Sequence, residues 1–338
     1  MILIWGIPGD LSAETVRTAL VDKGADVWFL DQTAALQTEI SLSIGELGCR
    51  SSLLNGVLRC GGDSLPLSQV TAVYIRAMDF RLLPALAQLR HDSPEWAHAA
   101  ALEDLLVAWM EMTSARVVNR PSAMGPNNSK PFQAAQLREL GFITPRTLIT
   151  TDPDAARQFL RHHREVIYKS ISSVRSIVTR LRADDPTAYE RLADVANCPT
   201  QFQEYIAGEE YRIHTVGKQV FASRIISDAD DYRHPERSNT QTQIVPAEVP
   251  SGLGALCSRA AHALDLAIAG FDLRRGPDGT WYCFEVNPAP GYGHYQLLTG
   301  QPMGAALADL LMDGDATFGP CAQPLTALAS AHSGRLTL

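Results

Sequence analysis

Two acids and an asparagine toward the C-terminal end carry the clearest chemical signal. Asp272 lies in Ala269-Gly270-Phe271-Asp272-Leu273, and Glu285 and Asn287 lie in Cys283-Phe284-Glu285-Val286-Asn287-Pro288. The two segments flank the turn Gly276-Pro277-Asp278-Gly279, so they read as neighbouring strands of a hairpin. Side chains two apart on a strand share a face, which places Glu285 and Asn287 together. Two carboxylates and an amide oxygen converging form a hard-oxygen site. Magnesium suits it, because magnesium takes few protein ligands and completes its shell with phosphate oxygens and water. The competing reading is a hairpin with polar residues on its solvent face. The apolar neighbours favour the metal, since paired acids among apolar side chains need a counter-charge.

Two lysines extend this toward phosphate. Lys130 follows Asn127-Asn128-Ser129 and precedes a helical pattern. Lys169 ends the apolar strand Val166-Ile167-Tyr168-Lys169 and leads into Ser170-Ile171-Ser172-Ser173-Val174-Arg175-Ser176. The N–H groups and hydroxyls of that turn, Ser172 among them, suit phosphate oxygens. A lone lysine is ordinarily a solvated charge, but one at the mouth of an apolar strand is harder to dismiss. Gln203-Glu204-Tyr205-Ile206 is an extended segment that can offer backbone groups to an adenine edge, and Glu210 follows where a carboxylate could accept ribose hydroxyls. Alone, that last signal is weak.

The elements that must position these groups are legible in outline. Ile2 to Trp5, a glycine turn, a helix over about 12–23 and a strand from Ala25 to Leu30 form a strand–helix–strand unit. The turn Gly6-Ile7-Pro8-Gly9 is not a dinucleotide fingerprint and reads as structural. Residues ~38–62 alternate polar and apolar, with Asn55-Gly56 as the hairpin signal. The strand Ala72 to Ile75 is followed by Arg76, which either faces a cleft or forms a surface salt bridge. A long helix over 95–112 and a short strand at Arg116-Val117-Val118 close a first domain, 1–118. Helices over 131–140 and from Pro153 to about His162 alternate with strands over 145–149, 166–169 and 201–206. Strands over 210–216 and 219–226 meet at Gly217-Lys218, and a helix spans 250–266. Arg233 and the polar run Ser238 to Gln243 read as a substrate-binding loop.

Composition narrows the class. The 338 residues suit two or three packed subdomains, with 46% hydrophobic and 20% charged residues. A net charge of -8 argues against a nucleic-acid surface. No apolar run reaches the ~18–20 residues of a membrane helix, and the N-terminus lacks the basic start of a signal peptide. The six cysteines include no C-x-x-C pair, which fits reduced thiols in a cytoplasmic protein. Cys49 and Cys60 flank the expected ribbon and could face each other.

The order of the parts is more specific than any one of them. Lysine, lysine, Gln-Glu-Tyr-Ile, Glu210-Tyr211-Arg212, then Asp272…Glu285-Val286-Asn287 closely resembles the ATP-grasp superfamily over about 119–311. Within it, Val118-Asn119-Arg120-Pro121 through Lys130 and on to Gly141-Phe142-Ile143-Thr144-Pro145 is similar to the ribosomal-protein glutamate ligases of RimK type and to the graspetide, or microviridin-type, peptide ligases. The resemblance implies an α/β protein with a Rossmann-like pre-ATP-grasp domain and ATP held between two antiparallel-sheet subdomains, here 119–206 and 207–315, with a tail over 316–338. It implies that Lys130 and Lys169 contact phosphates, that Glu204 and Ile206 line the adenine hinge through backbone, that Glu210 holds ribose, and that Asp272, Glu285 and Asn287 bind magnesium. Arg212 and Arg224 fall where related ligases place arginines near the reacting phosphate.

The implied reaction is ATP-dependent joining of a carboxylate to an amine through an acyl phosphate, on an amino-acid or peptide substrate. The alternative is a maturase that crosslinks a ribosomal precursor peptide by ester or amide bonds. A non-enzymatic ATP-binding module and a metabolic kinase are lesser readings, and a homodimer is common in the family. Two departures stand out. The phosphate loop after Lys169 lacks the usual glycines. After Pro288 the chain reads Ala289-Pro290-Gly291-Tyr292-Gly293-His294-Tyr295, where graspetide ligases carry a Gly-Gln-Trp type sequence. His294, as a base for the amine, and Tyr295 are candidate substrate residues there; the plainer reading is a loop that only packs.

Overall fold

The computed structural model describes residues 1–44, 54–127, 129–170, 179–227 and 242–313. The chain opens with β1 (Ile2–Gly6), α1 (Leu11–Asp22) and β2 (Val27–Asp31). Asp10 caps α1, accepting from Ala13 N at 2.8 Å. A ribbon follows, β3 (Glu39–Ile44), β4 (Leu54–Cys60) and β5 (Asp63–Pro66), and then β6 (Ala72–Ile75), α2 (Pro94–Met112) and β7 (Arg116–Val118). Strands β2-β1-β6-β7 form one parallel sheet, as the strand–helix–strand reading requires.

The ribbon is real, but Asn55-Gly56 is not its turn. Both residues lie inside β4, opposite Ser43 and Leu42. A Cβ on Gly56 would lie 1.9 Å from the Ser41 carbonyl oxygen. That glycine admits close backbone approach rather than reversing the chain. The β4–β5 turn is Gly61-Gly62, with φ of +61° and +92°.

The middle of the chain runs α3 (Pro121–Asn127), α4 (Lys130–Glu139), β8 (Thr147–Thr150), α5 (Pro153–His163), β9 (Glu165–Ser170), β10 (Thr179–Arg182), α6 (Pro186–Arg191) and β11 (Thr200–Glu204). Its strands make an antiparallel sheet in the order β10-β9-β11-β8. One face, with Val166, Leu181 and Phe202, packs on α5 and α6 through Ala156, Leu160 and Ala188. Alternation puts Lys169, Ile167, Gln201, Gln203 and Arg180 on the other face.

The last part holds β12 (Glu209–Val216), β13 (Gln219–Ser227), β14 (Thr242–Ala247), α7 (Ser251–Ala263), β15 (Ile268–Arg275), β16 (Trp281–Asn287), α8 (Tyr292–Thr299) and α9 (Met303–Met312). The sheet order is β14-β13-β12-β15-β16, antiparallel throughout. Tyr211, Ile213, Phe271, Leu273, Cys283 and Val286 pack under α7. The opposite face is divided. Val216, Phe221, Ile225 and Ile268 join Tyr295, Met303 and Leu307 of α8 and α9, in a core shared with Ile4, Val16 and Leu20 of the first unit. The rest of that face carries the charged residues.

Strands β10 and β14 and helices α3, α6, α8 and α9 are not among the elements expected from the sequence. The segment after Asn287 is therefore not a loop. His294 and Tyr295 sit on α8.

Candidate active site

The register across β12, β15 and β16 brings the expected metal set together. Arg212 pairs with Asp272, and Asp272 pairs with Glu285; His214 pairs with Gly270, and Gly270 with Asn287. Cross-strand partners share a face, so Arg212, Asp272, Glu285 and Asn287 line one surface. A bulge makes this possible. Leu273 pairs with Cys283, so Phe284 is the extra residue between Cys283 and Glu285. The bulge reverses the alternation: Cys283 is fully buried in the α7 core while Glu285 turns to the cleft.

Magnesium fits these groups. Adjacent carboxylates repel unless a cation lies between them. The donors on offer would be two carboxylates and one amide oxygen, from Asp272, Glu285 and Asn287. That count leaves room for phosphate oxygens, as magnesium prefers. Asn287 Oδ1 also accepts from Ala289 N at 2.9 Å, which fixes the amide's orientation.

Arg212 is 6% exposed and ion-paired through Nη1 to Asp272 Oδ1. Its Nε donates to His214 Nε2 at 3.5 Å. Burial, and then the Arg212 charge, push His214 well below the usual histidine pKa, so the ring is neutral and can accept. Tyr295, expected to face substrate, stacks edge-on against His214 at 4.8 Å between centroids. It supports the Arg212 site from behind. His294 is exposed on α8, with no contact to the metal set among the described residues.

Arg224 stands apart from this group. It pairs with Tyr211 in the register, one residue out of phase with the Arg212–Asp272 pair. Its Nη1 meets Glu209 Oε1 at 3.0 Å. The structure does not bring the two expected arginines together.

Of the expected nucleotide residues, Tyr205 and Glu210 meet at a cavity beside the start of β12. A cavity of about 460 Å³ is lined by Arg180, Tyr205, Glu209, Glu210, Arg224 and Arg274, among others. Glu210, the expected ribose holder, is ion-paired with its cross-strand neighbour Arg274. Arg274 also donates to the Ile206 carbonyl at 2.7 Å. The Arg180 guanidinium lies 3.6 Å from the centroid of Tyr205, a close cation–π contact. Strand β11 ends at Glu204, so Tyr205 and Ile206 belong to the segment leaving the sheet. Glu204 is anchored at both carboxylate oxygens: Oε1 accepts from Arg146 N at 2.7 Å, and Oε2 lies 3.4 Å from His163 Nδ1. Gln203 is buried and donates to Thr147 Oγ1 at 3.2 Å. Tyr205 N donates to the Glu165 carbonyl. The Ile206 N–H has no hydrogen-bond partner among the described residues.

Lys169 is 7% exposed on the cleft face of β9, beside Gln201, with no ion pair or hydrogen bond for its side chain among the described residues. A buried ammonium without a partner is costly, and the expected phosphate role would supply one. Lys130 begins α4 and is half-buried. Ser172 and Arg233 lie outside the described residues, as do 238–241 of the expected loop; Thr242 and Gln243 begin β14.

Arg76 is not a free cleft residue. Its Nε and Nη2 hold both Asp10 oxygens at 3.1 and 2.7 Å, and its Nη1 donates to the carbonyls of Ala289 and Pro290 at 3.1 and 3.4 Å. It ties the first unit to the segment after β16. Burial opposes ionisation of Asp10, but the Arg76 guanidinium holds its carboxyl below the ordinary carboxylate range.

Sequence reasoning passed over Gln133, His214 and Arg274. Gln133 had one available signal: it follows Lys130 by one turn of α4, on the same face.

A RimK-like ATP-grasp domain model matches residues 130–311. No protein of curated function matches the sequence. The fold is similar to a RiPP-associated ATP-grasp ligase from Chryseobacterium gregarium, solved with ADP and a leader and core peptide (TM-score 0.77, 21% identity, 94% of this chain and 98% of that chain). It is similar to the ATP-grasp ligase PsnB, solved with a minimal precursor, Mg and ADP (TM-score 0.74, 26% identity, 92% and 96%). It is also similar to the macrocyclase MdnC of Microcystis aeruginosa, bound to the precursor peptide MdnA (TM-score 0.74, 23% identity, 92% and 99%). The matched domain spans the two lysines, the hinge and the Asp272–Asn287 hairpin, and the chain belongs to the RimK-like ATP-grasp family, as an ATP- and magnesium-dependent ligase.

Proposed function

We propose that the substrate is a ribosomally made precursor peptide, in which the enzyme joins a side-chain carboxylate to an amine or hydroxyl of the same chain. The observation that carries the site assignment is the shared face of Arg212, Asp272, Glu285 and Asn287. The peptide assignment is supported by the likeness to PsnB, whose solved complex contains a minimal precursor. No helix among the described residues is long and apolar enough to cross a membrane.

The reaction class needs no protein nucleophile. The substrate carboxylate takes the terminal phosphoryl group of ATP, releasing ADP, and the amine or hydroxyl then displaces phosphate from the acyl phosphate and loses its proton. Positioning and charge stabilisation carry such chemistry. Lys169 and Lys130 would offset phosphate charge. Tyr205 and Ile206 would border adenine, with Glu210 at the ribose, where it shares its carboxylate with Arg274. Asp272, Glu285 and Asn287 would hold magnesium, which supplies charge neutralisation at the phosphates. Arg212, a planar donor fixed by Asp272 and His214, would steady the acyl phosphate.

The test is ATP-dependent phosphate release against candidate precursor peptides and free amino acids, with Glu285→Gln as control. Release stimulated by a peptide and lost in the variant supports the proposal. Release stimulated only by free amino acids would overturn the peptide assignment.

A further inference from the structure

Strand β16 is the last strand of its sheet, and among the described residues its outer edge has only an isolated bridge, Ile143 to Tyr282, in place of a strand. An unpaired edge strand leaves backbone groups open and its register loosely fixed. Here side chains take the place of a strand. Gln133 of α4 donates from Nε2 to the Val286 carbonyl at 2.5 Å, and its Oε1 accepts from Val286 N at 2.8 Å. Val286 is the residue between Glu285 and Asn287. Both backbone hydrogen-bonding groups of Val286 are therefore held by one buried amide. Nearer the start of the strand, Cys283 N donates to the Ile143 carbonyl at 2.8 Å.

The grip continues past the strand. Asn119, buried after β7, donates from Nδ2 to the carbonyls of Pro288 and Ile268 at 2.5 and 2.7 Å, and its Oδ1 accepts from Ala267 N at 2.8 Å. It joins the start of β15 to the end of β16. Arg76 then takes the carbonyls of Ala289 and Pro290. Three side chains from three separate parts of the chain thus hold the backbone of residues 286–290 on the side away from β15, which pairs with Val286 and Asn287 on the other.

We propose that Gln133 is a positioning residue for the metal site. It fixes the two peptide units that join Val286 to Glu285 and to Asn287, and so the spacing and direction of both side chains. Because Lys130 stands one turn earlier on α4, the same helix sets the phosphate-side lysine against the metal strand. A ligand set of only three groups is sensitive to such orientation, as residues behind metal ligands commonly are. The inference rests on the assignment of Glu285 and Asn287 to magnesium.

The experiment compares nucleotide and metal binding in the full chain. ADP binding is measured by calorimetry with excess chelator and across a magnesium titration, for the wild type, Gln133→Met, Gln133→Glu and Glu285→Gln. Gln133→Met removes both hydrogen bonds at similar volume. It should raise the half-saturating magnesium concentration about tenfold, in line with other outer-shell substitutions, while ADP affinity in chelator stays within about twofold of wild type. Gln133→Glu keeps the acceptor for Val286 N but sets an oxygen against the Val286 carbonyl, so it too should raise the half-saturating magnesium concentration. If Gln133→Met does not fold, the shift in Gln133→Glu decides alone. Equal losses of ADP binding with and without magnesium, or no magnesium shift in either variant, would overturn the inference. Glu285→Gln separates the two levels. If it leaves the magnesium dependence intact, the metal assignment itself fails. If it abolishes that dependence while the Gln133 variants behave as wild type, only the positioning role fails.

Discussion

A Cβ built on Gly270 would lie 2.4 Å from Nη2 of Arg212, so the glycine and the arginine fill one space across β12 and β15. The missing side chain lets the guanidinium lie between Asp272 and His214. Gly270→Ala should therefore displace Arg212 and lower peptide-stimulated ATP turnover about 100-fold, or ~2.7 kcal/mol. In an Arg212→Ala background the same alanine should add less than about threefold, because the clash is gone. Additive losses in a steady-state comparison would show that Gly270 serves something other than Arg212.

The two arginines expected at the reacting phosphate should separate cleanly. Arg212→Ala should cost about 100-fold in kcat, a value usual for a donor to developing charge. Arg224→Ala should cost less than about tenfold, since Arg224 sits out of phase on Glu209. Equal effects in kcat would place Arg224 in the reaction after all.

Lys169 carries a buried charge that nothing described offsets. Replacing such a cation with a hydrophobic side chain of similar length is commonly neutral or stabilising. Lys169→Met should keep or raise the melting temperature of the ligand-free protein, yet reduce the further rise caused by ADP and magnesium to less than half. A variant that melts much earlier alone but binds ADP normally would make Lys169 structural.

The Asp10–Arg76 pair predicts a pH dependence. The Asp10 carboxyl is held below its ordinary value, with burial opposing and Arg76 favouring the charge. A lowered carboxylate contributes stability above its unfolded pKa of about 3.9, and loses it as pH falls through the lower folded value. Arg76→Met should lower the urea midpoint at pH 7, by about 1–3 kcal/mol of stability. The gap to wild type should narrow below about pH 4. A gap independent of pH would assign the loss to the carbonyl contacts at Ala289 and Pro290 alone.

The chemistry was more legible than its supports. Asp272, Glu285 and Asn287 could be placed together from a turn and a period of two, both local facts. The bulge at Phe284 could not, because it depends on which residue of β15 faces which of β16. Gln133 and Asn119 act on backbone far away in sequence, and an amide within a helix or after a short strand carries no local mark of that role. Asn55-Gly56 misled for a related reason: turn chemistry and close backbone approach both select glycine, and only the neighbouring strand distinguishes them. Tyr295 read as a substrate residue because α8 was missed; within a helix its side chain turns inward onto His214.

The most direct test of the central claim is mass spectrometry of a candidate precursor peptide incubated with the enzyme, ATP and magnesium, with ADP counted in parallel. Loss of one water from the peptide for each ADP formed, abolished by Glu285→Gln, is the predicted result. Phosphate retained on the peptide without loss of water, or ADP formation that Glu285→Gln leaves intact, would contradict it.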